Sequence, residues 1–126
     1  MCIRDSRGIV AATLVSAAGM LTFGVWSFAA PRSFADFIDY APYNEHLLHD
    51  VGAFQIAIGV TLVVALFVPD ALLVALTGFV TASALHTLSH YVDRNIGGHD
   101  SDVPTLGLLT LVGLYGIVAI VRRSGS

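Results

Sequence analysis

The chain has 126 residues, of which 56% are hydrophobic and 12% are charged, and its mean hydropathy is +0.79. An average soluble domain is about one quarter charged, so this composition excludes an ordinary soluble domain. The formal net charge is −3, and the sequence contains no basic run that could neutralise nucleic-acid phosphates. We therefore expect a small membrane protein whose partners include the lipid bilayer and do not include nucleic acid.

Four apolar blocks each approach the roughly 20 residues that a membrane-spanning helix requires. They predict transmembrane helices at about 8–30, 44–68, 71–92 and 103–121. Trp26 and Phe28, near the end of the first block, are typical of an interfacial anchor. A cleaved signal peptide is the alternative for this block, although the apolar part of a signal peptide is usually only about 7–15 residues long.

Residues 31–43 connect the first two predicted transmembrane helices and contain prolines, acids and aromatic residues. Phe34, Phe37 and Ile38 have the i, i+3, i+4 spacing that would bury one face of a short amphipathic helix at the membrane surface. The alternative is an irregular loop with scattered aromatic side chains, and the sequence does not decide between the two.

The remaining elements have recognisable boundaries. Asn44 is a predicted N-cap for the second helix, and Pro69-Asp70 separates this helix from the third. Two helices joined by so short a link are expected to be antiparallel neighbours. Residues 93–102 are polar and rich in glycine, which predicts a loop, and Pro104 suits the first turn of the fourth helix.

The arginines predict the orientation, because four crossings put both termini on one side of the membrane. That side carries Arg4, Arg7, Arg122 and Arg123, whereas the opposite side carries Arg32 and Arg94. The positive-inside rule then predicts termini in the cytoplasm and a multi-pass protein of the inner (plasma) membrane. The predicted fold is all-α: an integral membrane four-helix bundle forming a single domain over residues 1–126. Met1–Ser6 resembles a translated adapter or assembly junction, so whether residues 1–6 are native stays open.

Histidines and carboxylates concentrate at the start of the second helix and the end of the third. On a helix, His46, His49 and Asp50 share one face, and so do His86, His90 and Asp93. Folding the hairpin about its short link brings His49 level with His90, and His46 level with Asp93. We therefore predict that these six residues form one cluster and are candidate metal ligands.

Three chemical interpretations fit such a cluster. Imidazoles and carboxylates are ligands of Zn, Cu or Fe, and His49 with His86 or His90 would supply two axial ligands to haem b. His–Asp networks in membranes also handle protons. The alternative is a structural role, in which the side chains bond to one another, to loop carbonyls and to water. His99, in the glycine-rich loop, is expected to be solvated unless the loop folds back and adds it as a ligand.

The four-helix layout, the aromatic segment after the first helix, the stretch 43–53 and the pair His86-x-x-x-His90 resemble small bacterial membrane proteins of the DoxX-like kind. Most of these proteins are uncharacterised. DoxX itself is associated with a thiosulfate:quinone oxidoreductase, so the resemblance implies an accessory membrane subunit in electron transfer. A homo-oligomer or a larger membrane complex is the expected assembly. No catalytic residue of that enzyme matches a position here, so its activity is not carried over. A metal- or haem-binding membrane redox protein, and an oligomeric proton-coupled transporter or channel, are the alternative functions.

Overall fold

The computed structural model describes residues 6–125, which are all-α. The helices are α1 (Arg7–Ala29), α2 (Pro31–Ile38), α3 (Glu45–Ala65), α4 (Leu72–Val92) and α5 (Asp102–Ser124). The four long helices have 21–23 residues each and are long and apolar enough to cross a membrane, which confirms the four long apolar segments. Residues 6–125 form five helices rather than the predicted four, because the short α2 lies between α1 and α3. Arg4, which entered the prediction of orientation, lies outside the described residues.

The short helix α2 settles the alternative that the sequence left open between α1 and α3. It begins at Pro31, whose fixed φ suits the first helical position. Phe34 is buried, in contact with the α1–α3 corner, as the amphipathic pattern predicts. The side chain of Phe37, on the face predicted to lie at the membrane surface, is 53% exposed on the protein, and its ring centroid lies 4.7 Å from that of Trp26. The helix thus lies along the end of α1 with one aromatic residue inside and one outside.

Consecutive long helices run antiparallel, so the bundle has two distinct ends. The terminal end holds the start of α1, the end of α3, the start of α4 and the end of α5. The α2 end holds α2, the start of α3, the end of α4 and the loop before α5. The most extensive contacts join α1 to α3 and α4 to α5, and α1 also packs on α5. The predicted neighbours α3 and α4 do touch, but over a much smaller surface.

Glycines explain why α3 packs along α1. A Cβ added to Gly52 would lie 2.7 Å from the carbonyl oxygen of Gly24 and 2.8 Å from the backbone nitrogen of Phe28. Across the same contact, the hydroxyl of Ser27 donates a 2.6 Å hydrogen bond to the carbonyl of Leu48. Close backbone approach of this kind is a main source of helix association in lipid. The two backbones therefore meet where no side chain separates them.

A second glycine contact joins α4 to α5. Phe79 is fully buried, and a Cβ added to Gly113 would lie 2.8 Å from its ring. Gly116 of α5 lies against both Leu76 of α4 and Ala12 of α1. This glycine thus adjoins α1 and α4 together, which connects the two helix pairs through α5.

The interior of the bundle is partly polar, and its surface is largely apolar. The hydroxyls of Thr13 and Ser16 are buried and each donates a 2.8 Å hydrogen bond to the carbonyl one turn earlier in α1. Large apolar side chains point outward instead: Phe54 is 72% exposed, Val74 is 75% exposed and Leu108 is 64% exposed. Such a surface would be costly in water, because each apolar side chain left exposed forgoes about 1.5–3 kcal/mol.

We expect the substitution Gly52→Ala to destabilise the protein by about 1–2 kcal/mol. Overpacking against fixed backbone atoms costs about 1–3 kcal/mol, and the better helix propensity of alanine returns up to about 1 kcal/mol. Denaturation of the purified protein in detergent measures the change. The matched control is Gly78→Ala, because nothing lies within 4 Å of the added Cβ. Equal stability of the two variants would contradict the close contact between α1 and α3.

Candidate functional site

The α2 end collects most of the ionisable side chains in the chain. Within residues 6–125 it carries all five histidines, together with Asp36, Asp39, Glu45, Asp50, Asp93, Asp100 and Asp102. The two arginines at this end make cation–π contacts with tyrosines. The guanidinium carbon of Arg32 lies 4.6 Å from the ring centroid of Tyr43, and that of Arg94 lies 4.6 Å from the ring centroid of Tyr91. The polar chemistry therefore faces one side of the bundle, as the sequence predicted.

His90 and Asp102 form the central contact of this end. Nδ1 of His90 lies 3.2 Å from Oδ2 of Asp102, and the two side chains are 30% and 22% exposed. The same carboxylate oxygen accepts a 2.9 Å hydrogen bond from the backbone N–H of His99. Asp102 lies in the first turn of α5, where the helix dipole favours a negative charge. One carboxylate thus joins the end of α4, the loop and the start of α5.

The side chain of His99 extends this connection to α2. Its Nε2 lies 2.9 Å from the carbonyl oxygen of Phe37. Because a carbonyl oxygen only accepts, Nε2 carries the proton and donates. His99 is exposed, as expected for a loop residue, but it is bonded to protein rather than only to solvent. The loop therefore folds back over the α2 end and brings His99 to a backbone carbonyl of α2.

His86 and His90 make the contact that their i, i+4 spacing predicts. Their ring centroids are 4.8 Å apart and the rings are nearly parallel. Asp93, the predicted third member of this set, is exposed, and its carboxylate makes no hydrogen bond or ion pair within residues 6–125. Asp102 takes the place expected for it. The sequence signal for Asp102 was its position at the start of α5, which follows the same loop and runs antiparallel to α4.

The α3 set lies in a more open environment. Nε2 of His46 lies 3.4 Å from Oδ2 of Asp50, and the side chains are 88% and 53% exposed. The ring of His49 is half-buried, with its centroid 5.4 Å from that of Phe28. The predicted i, i+4 pairing within this helix is therefore present, but as a solvent-exposed pair.

The two sets do not join into the predicted single cluster. Within residues 6–125, no hydrogen bond or ion pair links the set on α3 to the set on α4. The same residues contain no group of three or more His, Cys, Asp or Glu side chains that could hold a metal ion. The physical reason is the side-by-side packing of the helices, because α3 packs mainly along α1 while α4 packs mainly along α5. The predicted hairpin placed both sets at one end, but it did not fix which helices are closest neighbours.

Hydroxyl groups connect α4 to α5 below His86 and His90. Oγ1 of Thr110 donates a 2.9 Å hydrogen bond to Oγ of Ser83, which is buried. Oγ1 of Thr87 lies 3.4 Å from Oγ1 of Thr110 and also donates to the carbonyl of Ser83. One turn further along α4, Phe79 packs against Gly113. The hydroxyl contacts between α4 and α5 therefore end at the apolar packing of Phe79 on Gly113. Sequence reasoning missed it, and the i, i+4 spacing of Ser83 and Thr87 was its only signal.

A double-mutant cycle should detect the contact between His90 and Asp102. We expect a coupling of about 1 kcal/mol from His90→Ala, Asp102→Ala and the double variant, because the pair is partly shielded from water. The unfolding free energy of each variant in detergent gives the coupling. His46→Ala and Asp50→Ala form the control cycle, and their coupling should be clearly smaller. A larger coupling for the control pair would mean that His90 and Asp102 do not form the main polar contact of the α2 end.

No protein-family model, curated protein or solved structure matches this chain. The resemblance to DoxX-like proteins therefore stays a prediction.

Proposed function

We propose that the protein is a multi-pass membrane protein with four membrane-spanning helices, α1, α3, α4 and α5. The observation that carries this proposal is the distribution of side chains across the bundle. Each long helix has an 18-residue window of mean hydropathy between 1.6 and 2.0. Large apolar side chains cover the outside, whereas the buried positions of α1, apart from Ile9, hold glycine, alanine, serine and threonine. A hydrocarbon solvent stabilises this arrangement, and close packing of small residues supplies the helix contacts.

The proposed orientation has the terminal end in the cytoplasm and the α2 end on the opposite side of the inner membrane. Arg7, Arg122 and Arg123 lie at the terminal end, against Arg32 and Arg94 at the α2 end. The excess of arginine at the terminal end supports this orientation through the positive-inside rule. The carboxylates and histidines of the α2 end then face the exterior.

We propose further that the chain acts as a DoxX-like accessory subunit without catalytic activity of its own. Its functional centre would be the site formed by His86, His90, His99 and Asp102. Support comes from the way this site ties α4, α5 and α2 together at one surface. The metal alternative has less support, because no group of three or more ligating side chains is assembled within residues 6–125. A pathway through a single copy of the bundle has less support, because the packing of Phe79 on Gly113 closes the polar contact below His86.

Membrane integration and orientation can be tested together. Because we expect four crossings, the protein should stay in the membrane pellet after an alkaline carbonate wash. A reporter that is active only in the cytoplasm should be active when fused after Ser124. A reporter that is active only outside the cytoplasm should be active when fused in the loop between α4 and α5. Release by carbonate would refute the membrane proposal. Reporters active on the reversed sides would refute only the orientation.

The accessory-subunit proposal predicts that the protein purifies with a partner from native membranes in mild detergent. His90→Ala and Asp102→Asn should each release the partner, because either change loosens the surface at which three elements meet. His46→Ala is the control, since it removes an exposed histidine from the same end, and the partner should be retained. Retention of the partner by all three variants would contradict the proposed centre. Stoichiometric metal or a haem absorption band that is lost in His86→Ala would instead favour the redox alternative.

A further inference from the structure

An apolar groove runs along the surface of the bundle between α1 and α5, towards the terminal end. Its volume is about 440 Å³. Its walls include Gly8, Ala11, Ala12 and Val15 of α1, and Leu111 and Tyr115 of α5. The groove exists because α1 presents small side chains where α5 presents large ones. From Gly8 to Val15 it follows about two turns of helix, or roughly 10 Å.

Two arginines lie at the end of the groove nearest the termini. Arg7 directly precedes Gly8, and Arg122 lies seven residues after Tyr115, which places it on the same face of α5. Both arginines are exposed, and neither guanidinium makes a hydrogen bond or ion pair within residues 6–125. Among residues 6–125, the acidic side chain at the terminal end is Asp70, which lies in the turn between α3 and α4. The mouth of the groove is therefore positively charged.

Tyr115 adds a hydroxyl group close to this mouth. The hydroxyl lies directly against the backbone of Gly8, in the space that a Cβ would occupy. It makes no hydrogen bond to another residue within 6–125. Tyr115 is 55% exposed, so its hydroxyl can donate a hydrogen bond to a ligand that accepts one at this mouth. The groove thus offers two cations, one hydroxyl donor and a long apolar wall.

We propose that this groove binds one anionic phospholipid, with its phosphate at Arg7, Arg122 and Tyr115 and an acyl chain along Ala11 and Val15. The proposal rests on the membrane insertion proposed above, because the bilayer then surrounds the groove with lipid. Arginines at the ends of spanning helices reach the headgroup layer, where the phosphates of anionic lipids lie. Charge selects the headgroup, and the apolar walls select a ligand that carries a chain.

The test compares phosphatidylglycerol with phosphatidylcholine of the same acyl chains, titrated into the membrane-extracted protein in detergent and counted by native mass spectrometry. Each arginine near the headgroups is expected to contribute about fivefold, so phosphatidylglycerol should bind about 30-fold more tightly. Arg7→Gln and Arg122→Gln should each lower that preference about fivefold. Arg94→Gln, at the α2 end, is the matched control and should leave the preference unchanged.

A second pair of variants tests the groove itself. Ala11→Leu fills the groove and should weaken binding of phosphatidylglycerol by about tenfold, because the acyl chain loses its place against α1. Ala57→Leu makes the same change at an exposed alanine of α3 and should have no effect. Both positions are exposed, so neither change packs a leucine into the interior; unchanged helicity and Tm confirm that the variants fold. Glycerol phosphate, which lacks the chain, should not displace the lipid at equal concentration.

Equal affinity for the two lipids would overturn the proposal. A preference that survives in both arginine variants, or full binding by Ala11→Leu, would overturn it as well. Displacement by glycerol phosphate would show a site for free phosphate rather than for a lipid. A protein that carbonate releases from the membrane would refute the proposed membrane insertion itself. A protein that stays in the membrane but shows no lipid preference would refute only the lipid site.

Discussion

The backbone contact between α1 and α3 is the constraint on which the rest of the structure depends. Gly24 and Gly52 bring the two backbones together so closely that a methyl group has no room between them. Because α3 is held along α1, it meets α4, to which it is joined by a short turn, over a much smaller surface. The contact therefore sets the order of helices around the bundle. It also determines that His46 and Asp50 stay apart from His90 and Asp102.

The sequence predicted the long helices well, because each is a long uninterrupted apolar block and the segments between them are visibly polar. It predicted the contents of the α2 end for the same reason, since alternation of direction decides which residues share an end. The i, i+4 pairs His46–Asp50 and His86–His90 followed from helix geometry alone. Each of these features depends on residues that are close in sequence or on simple topology.

Lateral packing could not be predicted in the same way. Small residues occur on every helix of this chain, so the sequence does not reveal that Gly24 meets Gly52 while Gly113 meets Phe79. The choice of Asp102 over Asp93 has a related cause. Asp93 is nearer to His90 in sequence, but Asp102 is brought to it by the packing of α5 on α4. The contact between the rings of Phe37 and Trp26 is another lateral contact, since it joins α2 to the end of α1.

The pairing of α1 with α3 and of α4 with α5 also bears on how the chain is made. The first pair is complete in the sequence at Ala65, before any residue of α4 has been synthesised. Its closest contact uses glycines and the hydrogen bond from Ser27 to Leu48, which all belong to that pair. The N-terminal part of a chain is synthesised before the rest, at about 5–20 residues per second. The α1–α3 pair can therefore assemble while the ribosome is still translating, and α4 and α5 then arrive as a second hairpin that docks onto a finished surface.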